Sequence, residues 1–105
     1  MEAILVISNL PDRASAEKLA QLLVEQRLAA CVNVLAPCTS VYRWQGKVET
    51  ATEIPVLIKT TRERYPALES AIRAHHPYEL PEIIAVSLAG GLPAYLEWLQ
   101  TETNF

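Results

Sequence analysis

The stretch Val41-Tyr42-Arg43-Trp44-Gln45-Gly46-Lys47-Val48-Glu49 decides how the rest of this chain is read. Gln45-Gly46 is a tight-turn pair set between two extended runs, so it joins two antiparallel strands. With a two-residue turn, Trp44 faces Lys47, Arg43 faces Val48 and Tyr42 faces Glu49. One side of the ribbon then displays Tyr42, Trp44, Lys47 and Glu49. Unbroken alternation carries that side on through Glu53, Leu57 and Lys59. The Trp44–Lys47 pairing allows a cation–π contact worth ~0.5–1 kcal/mol if exposed. The first arm reads as extended over 30–44, broken or bulged near Pro37. The second is extended from Thr50 to Thr60 and carries the alternating set Ile54, Val56 and Ile58.

Before this ribbon, residues 3–8 are a short strand rich in Ile and Val, and Asp12 is placed to cap a helix running to about Leu28. Ala16, Leu19, Ala20 and Leu23 give that helix its apolar stripe. After the ribbon, a second helix spans roughly 65–75, with Pro66 in its first turn and Leu68, Ala71 and Ile72 inward. Pro77 and Pro81 bracket a loop, Ile83 to Ala89 form a strand, and Gly90-Gly91 ends it. Pro93 opens a terminal helix with Tyr95, Leu96 and Leu99 inward. The order β-α-β-β-α-β-α predicts an α+β fold: a ferredoxin-like βαββαβ sandwich with a long hairpin between its second and third strands and an extra C-terminal helix. At 105 residues, with no linker or repeat, the chain reads as one domain over 1–105.

Two features do not suit a single copy of that fold. The first and last strands, Ile4-Leu5-Val6-Ile7 and Ile83-Ile84-Ala85-Val86, are apolar on both faces, whereas two helices cover only one face of a sheet. The hairpin is also oversized. Arms of about 14 residues at ~3.3 Å each reach ~46 Å, against ~24 Å for a first helix of about 16 residues. Its tip overhangs the domain, and a bare ribbon carrying Tyr42 and Trp44 is more usefully docked on another chain. The expected working unit is an obligate homo-oligomer.

Composition narrows the function. Half the residues are hydrophobic and 20% are charged, the profile of a globular domain. A net charge of −3 with no basic run argues against nucleic acid or an anionic membrane as partner. The first residues lack the positive flank of a signal peptide, and the apolar run is too short to span a bilayer. Two cysteines cannot build a disulfide framework, which together with the N-terminus points to the cytoplasm. Cys31 and Cys38 are seven apart, so regular alternation sends them to opposite faces; only a bulge near Pro37 would reset that.

The densest polar cluster is His75-His76-Pro77-Tyr78-Glu79, with Glu82 nearby. Neighbouring imidazoles reach one ion only where the backbone is irregular, as at the Pro77 boundary, and an N/O site ranks Cu²⁺ highest. The competing role is a helix-end cap with the other ring packed or in water. Enzyme signatures are missing: there is no phosphate-cradling glycine loop, Gly-x-Ser-x-Gly or His-Glu-x-x-His motif. Glu49 and Glu53 read as a carboxylate pair on one strand face. Lys59 on that face becomes catalytic only if buried.

Ala29-Ala30-Cys31-Val32-Asn33, Tyr42-Arg43-Trp44-Gln45-Gly46-Lys47-Val48-Glu49, Lys59-Thr60 and His76-Pro77-Tyr78-Glu79-Leu80-Pro81-Glu82 resemble, in order, the signature blocks of the CutA divalent-cation tolerance proteins. The resemblance implies a homotrimer with interlocking hairpins, similar in architecture to the PII signalling proteins, with no obligatory cofactor and divalent metal, copper first, as ligand. In the bacterial pattern the ligands are a cysteine at the end of the first strand and two adjacent histidines. The histidines match His75 and His76, but Ser8 stands where the cysteine belongs. Loss of the thiolate leaves a harder, weaker site suited to Cu(II) or Zn(II). Clefts between subunits are implied too, to which Tyr42, Trp44, Glu49, Glu53 and Lys59 would contribute. The alternative reading is therefore a PII-like signalling or scaffold trimer with a small ligand or partner in those clefts.

Overall fold

The computed structural model describes residues 2–104. β1 (Ala3–Leu10) pairs antiparallel with β4 (Lys47–Thr61), Ile4 opposite Thr60 and Leu10 opposite Ile54. β2 (Cys31–Val34) flanks β4 and β5 (Ile84–Ser87) flanks β1, giving the order β2-β4-β1-β5. β3 (Cys38–Trp44) continues the first arm and pairs with β4 over residues 47–53. α1 (Arg13–Glu25) and α2 (Tyr65–His75) share one face of the sheet. Their Leu19, Leu23, Leu68 and Ile72 meet Ile4, Val6, Leu10, Ile54, Val56 and Ile58 in one buried core. Side chains of this size contribute ~1.5–3 kcal/mol each when fully buried. This is the ferredoxin-like α+β sandwich expected.

The local signals act where the sequence places them, but boundaries move: β1 runs on to Leu10, β4 spans Lys47–Thr61 and β5 shrinks to Ile84–Ser87. Asp12 caps α1, its Oδ1 accepting the Ser15 N–H at 2.8 Å. The helix stops at Glu25, not near Leu28. Arg27 takes a left-handed conformation (φ 58°), and the N–H groups of Leu28 and Ala29 both return to the Leu23 carbonyl, at 3.0 and 3.2 Å. That reversal tucks Leu28 and Ala29 into the core. Pro66 lies in the first turn of α2.

In the hairpin, Gln45 (φ 50°) and Gly46 (φ 80°) are both left-handed, the requirement of a type I′ turn. The register is the expected one, Trp44 opposite Lys47 and Tyr42 opposite Glu49. Among the described residues, the cation that lies over a ring is Lys59, whose Nζ is 5.8 Å from the centre of the Tyr95 ring. Between β2 and β3 the chain takes one extra residue: Val34 faces Val56, but Cys38 faces Glu53. This bulge resets alternation, so Cys31 and Cys38 occupy the same face. Their partners Lys59 and Glu53 lie ~20 Å apart along β4, and both thiols are free.

Residues 47–53 pair with β3 alone among the described residues, an overhang of roughly 23 Å. It stretches the molecule to 44 Å in one direction against 26 and 24 Å in the others. On the second face of the sheet, α3 (Pro93–Glu102) covers one end, with Leu99 fully buried against Ala3 and Ala30. Leu96 packs beside it, but Tyr95 is exposed and stacks on Trp98, contrary to its expected inward position. Leu5, Ile7 and Leu57 remain half-buried on that face, and Ile84 and Val86 on the edge strand are about half exposed.

Candidate functional site

α2 ends at His75, and the backbone turns to extended at His76 (ψ 134°), so the two adjacent imidazoles separate. His75 stays on the surface. Its Nδ1 bonds the Ala71 carbonyl at 2.9 Å, and because a carbonyl only accepts, Nδ1 carries the proton and Nε2 is left as a lone-pair donor to solvent. His76 turns inward and is buried. Its Nε2 donates to the Asn9 carbonyl at 2.6 Å, and its Nδ1 accepts the Tyr78 N–H at 3.1 Å. Those partners dictate a neutral ring protonated on Nε2, with neither nitrogen free for an ion. The Tyr78 ring leans on it at 4.8 Å. The pair thus divides: one outward-facing imidazole, and one clasp joining the end of β1 to the segment that follows α2.

Ser8 is fully buried on the helix-facing side of β1, and its Oγ has no hydrogen-bond partner. Among the described residues, no three His, Cys, Asp or Glu side chains converge on a point where an ion could sit. Within one chain the donor set therefore does not fit a three-ligand copper centre.

What one chain does build is a cleft of about 740 Å³ between the hairpin and the 77–82 segment. Tyr42, Trp44, Glu49 and Glu53 form the hairpin wall, since β3 and β4 turn them to the same side. The facing wall comes from Tyr78, Glu79 and Glu82. Glu82 is steadied by the Asn9 Nδ2, which donates to it at 3.0 Å. Glu53 is the buried carboxylate of the set. Burial first, and then the negative charge of the Glu53 carboxylate, push the Tyr78 phenol above its ordinary range. Among the described residues, no lysine or arginine lines the cleft.

Lys59 does not join this cleft within the chain. It lies opposite Leu5 and Cys31, six residues beyond Glu53 along β4, with its ammonium over Tyr95. Conversely, Tyr78 and Glu79 were legible only as neighbours of the histidines. Their facing the hairpin depends on where the 77–82 loop crosses the end of β1, which spacing does not report.

Known proteins are similar to this chain along nearly its whole length. A family model described as CutA1 divalent ion tolerance protein matches residues 4–102. The divalent-cation tolerance protein CutA of Thermus thermophilus is 45% identical over 104 residues, covering 99% of this chain and all of that one. The chloroplastic protein CutA of Arabidopsis thaliana is 41% identical over 97% of this chain, which spans 56% of that longer protein. The crystal structure of CutA from Xylella fastidiosa superposes with a TM-score of 0.96 at 48% identity, over 99% of this chain and all of that one. A CutA structure from Archaeoglobus fulgidus, described as periplasmic, gives 0.94 at 33% identity, over 97% of this chain and 99% of that one. With sequence and fold agreeing end to end, this chain belongs to the CutA1 divalent ion tolerance protein family.

Proposed function

We propose that this chain works as a cytoplasmic homotrimer that binds divalent metal ions, copper first, and is not an enzyme. The observation that supports the reading is the concentration of cation-seeking groups along residues 75–82. His75 presents its Nε2 to solvent, and Glu79 and Glu82 face Glu49 and Glu53 across a cleft with no basic side chain among its described lining residues. An N/O donor set of this kind follows the order that ranks Cu²⁺ above Zn²⁺. His76 joins such a site only by exchanging its bonds to Asn9 and Tyr78 for a metal bond, so affinity is modest. More than one copy is favoured because the overhanging hairpin and the half-covered second face of the sheet both need partners, and the number three is what the resemblance to the CutA family implies. The two free thiols suit a reducing compartment.

Calorimetric titration with Cu(II) and Zn(II) of the wild type beside His75→Ala and His75→Ala/His76→Ala tests the metal reading. Weakened copper binding in both variants supports it. Unchanged stoichiometry and affinity in the double variant removes the pair as the site.

A second reading is favoured by size. A cleft of about 740 Å³ falls in the ~300–1,000 Å³ range of small-molecule sites, far more than one ion occupies. On this reading the trimer is a PII-like carrier or signalling scaffold whose clefts hold a small ligand, metal being incidental.

A further inference from the structure

We propose that the cleft between the hairpin and the 77–82 segment binds a small organic cation, an ammonium or guanidinium group on an apolar body. The inference rests on the small-ligand reading of the cleft and names its ligand class. Its walls combine two chemistries. Glu49, Glu53, Glu79 and Glu82 supply negative charge, with Lys47 outside the lining at the hairpin tip opposite Trp44, and Tyr42, Trp44 and Tyr78 supply aromatic surface. Carboxylates bind ammonium and guanidinium groups through charge-assisted hydrogen bonds, and aromatic faces attract the same cations while burying an attached hydrocarbon. An anionic ligand would meet only like charge there.

A bare divalent ion fits these walls less well. It needs several oxygens drawn to within roughly 2.0–2.6 Å of one point, and no three such side chains converge among the described residues. An organic cation carries its own donors and spans separated carboxylates. One of the four is already oriented, Glu82, which accepts from Asn9 Nδ2 at 3.0 Å, and Glu53 is buried in the wall. The site is therefore built before the ligand arrives.

The test is calorimetry on the assembled protein with phenethylamine and agmatine, against phenylacetate as an anionic counterpart of similar shape. The expected result is binding of both amines but not of phenylacetate. Affinity should fall about tenfold or more in Glu49→Gln/Glu53→Gln, as for loss of hydrogen bonds to a charged group. Glu49→Gln alone, at an exposed position, should weaken binding in the same direction and guards against misfolding of the double variant. Asp12→Ala, which touches only the start of α1, should leave amine affinity unchanged. Phenylacetate binding as tightly as phenethylamine would overturn the cation assignment while the cleft reading stood. No binding by any of the three at millimolar concentration would overturn the assignment, and the cleft reading with it if solvent-exposure labelling found Trp44 and Tyr78 covered by a neighbouring copy.

Discussion

Replacing His76 by alanine should destabilise the protein far more than replacing its neighbour His75. The buried ring makes two bonds that hold β1 and the post-α2 segment together: Nε2–H to the Asn9 carbonyl at 2.6 Å, and Tyr78 N–H to Nδ1 at 3.1 Å. Truncation leaves a partly buried carbonyl without its donor, at ~1–3 kcal/mol. Tyr78 is more open, so water recovers much of the second bond. Loss of the His76–Tyr78 ring contact adds ~0.5–1.5 kcal/mol. The expected sum is about 2–4 kcal/mol, which at ~4 °C per kcal/mol for a chain of this size lowers Tm by ~8–16 °C. His75 bonds only its own helix from an exposed position, so His75→Ala should stay within ~0.5 kcal/mol of wild type. Guanidinium unfolding at one fixed protein concentration is the assay, because association and folding are coupled. Equal stability of the two variants would refute the clasp role of His76.

Asp12→Ala removes the side chain that accepts the Ser15 N–H and should cost about 1 kcal/mol in the same unfolding assay; a neutral result would mean solvent caps α1 equally well. Glu2 is held by Arg62 and Ser87, which draw its carboxyl from 4.5 down to about 2. Since the folded value is depressed, its contribution is complete above about pH 4.5 and fades as pH falls toward 2. Unfolding curves of wild type and Glu2→Gln should therefore converge on acidification, and parallel pH profiles would argue against the contribution. Trp44→Ala should weaken the oligomer before it disturbs secondary structure, as sedimentation with parallel circular dichroism would register. An unchanged assembly would count against docking through that side chain.

Much of this molecule was readable from local signals because those signals act locally. The Gln45-Gly46 pair fixes the turn and with it the Trp44–Lys47 register, Asp12 caps α1, and Pro66 opens α2. Readings failed where a tertiary partner decides. Arg27 ends α1 early because Leu28 and Ala29 are drawn into the core, an effect helix propensity does not carry. Tyr95 looked like part of an inward stripe, but α3 covers only the end of the sheet's second face, and the ring stays outside under Lys59. Alternation placed Lys59 on the same strand face as Glu53 without saying that the cleft ends long before it. For the histidines, sequence showed adjacency alone. That His76 is already spoken for depends on Asn9, sixty-seven positions earlier in the chain.

Self-assembly underlies the functional readings, because the hairpin and the half-covered sheet face are left without partners in one copy. Sedimentation equilibrium at micromolar concentration measures it most directly. The account predicts a single species near 35 kDa, three times the 11.7 kDa of one chain. A stable folded species of 11.7 kDa, with the Trp44 ribbon exposed to solvent, would contradict it.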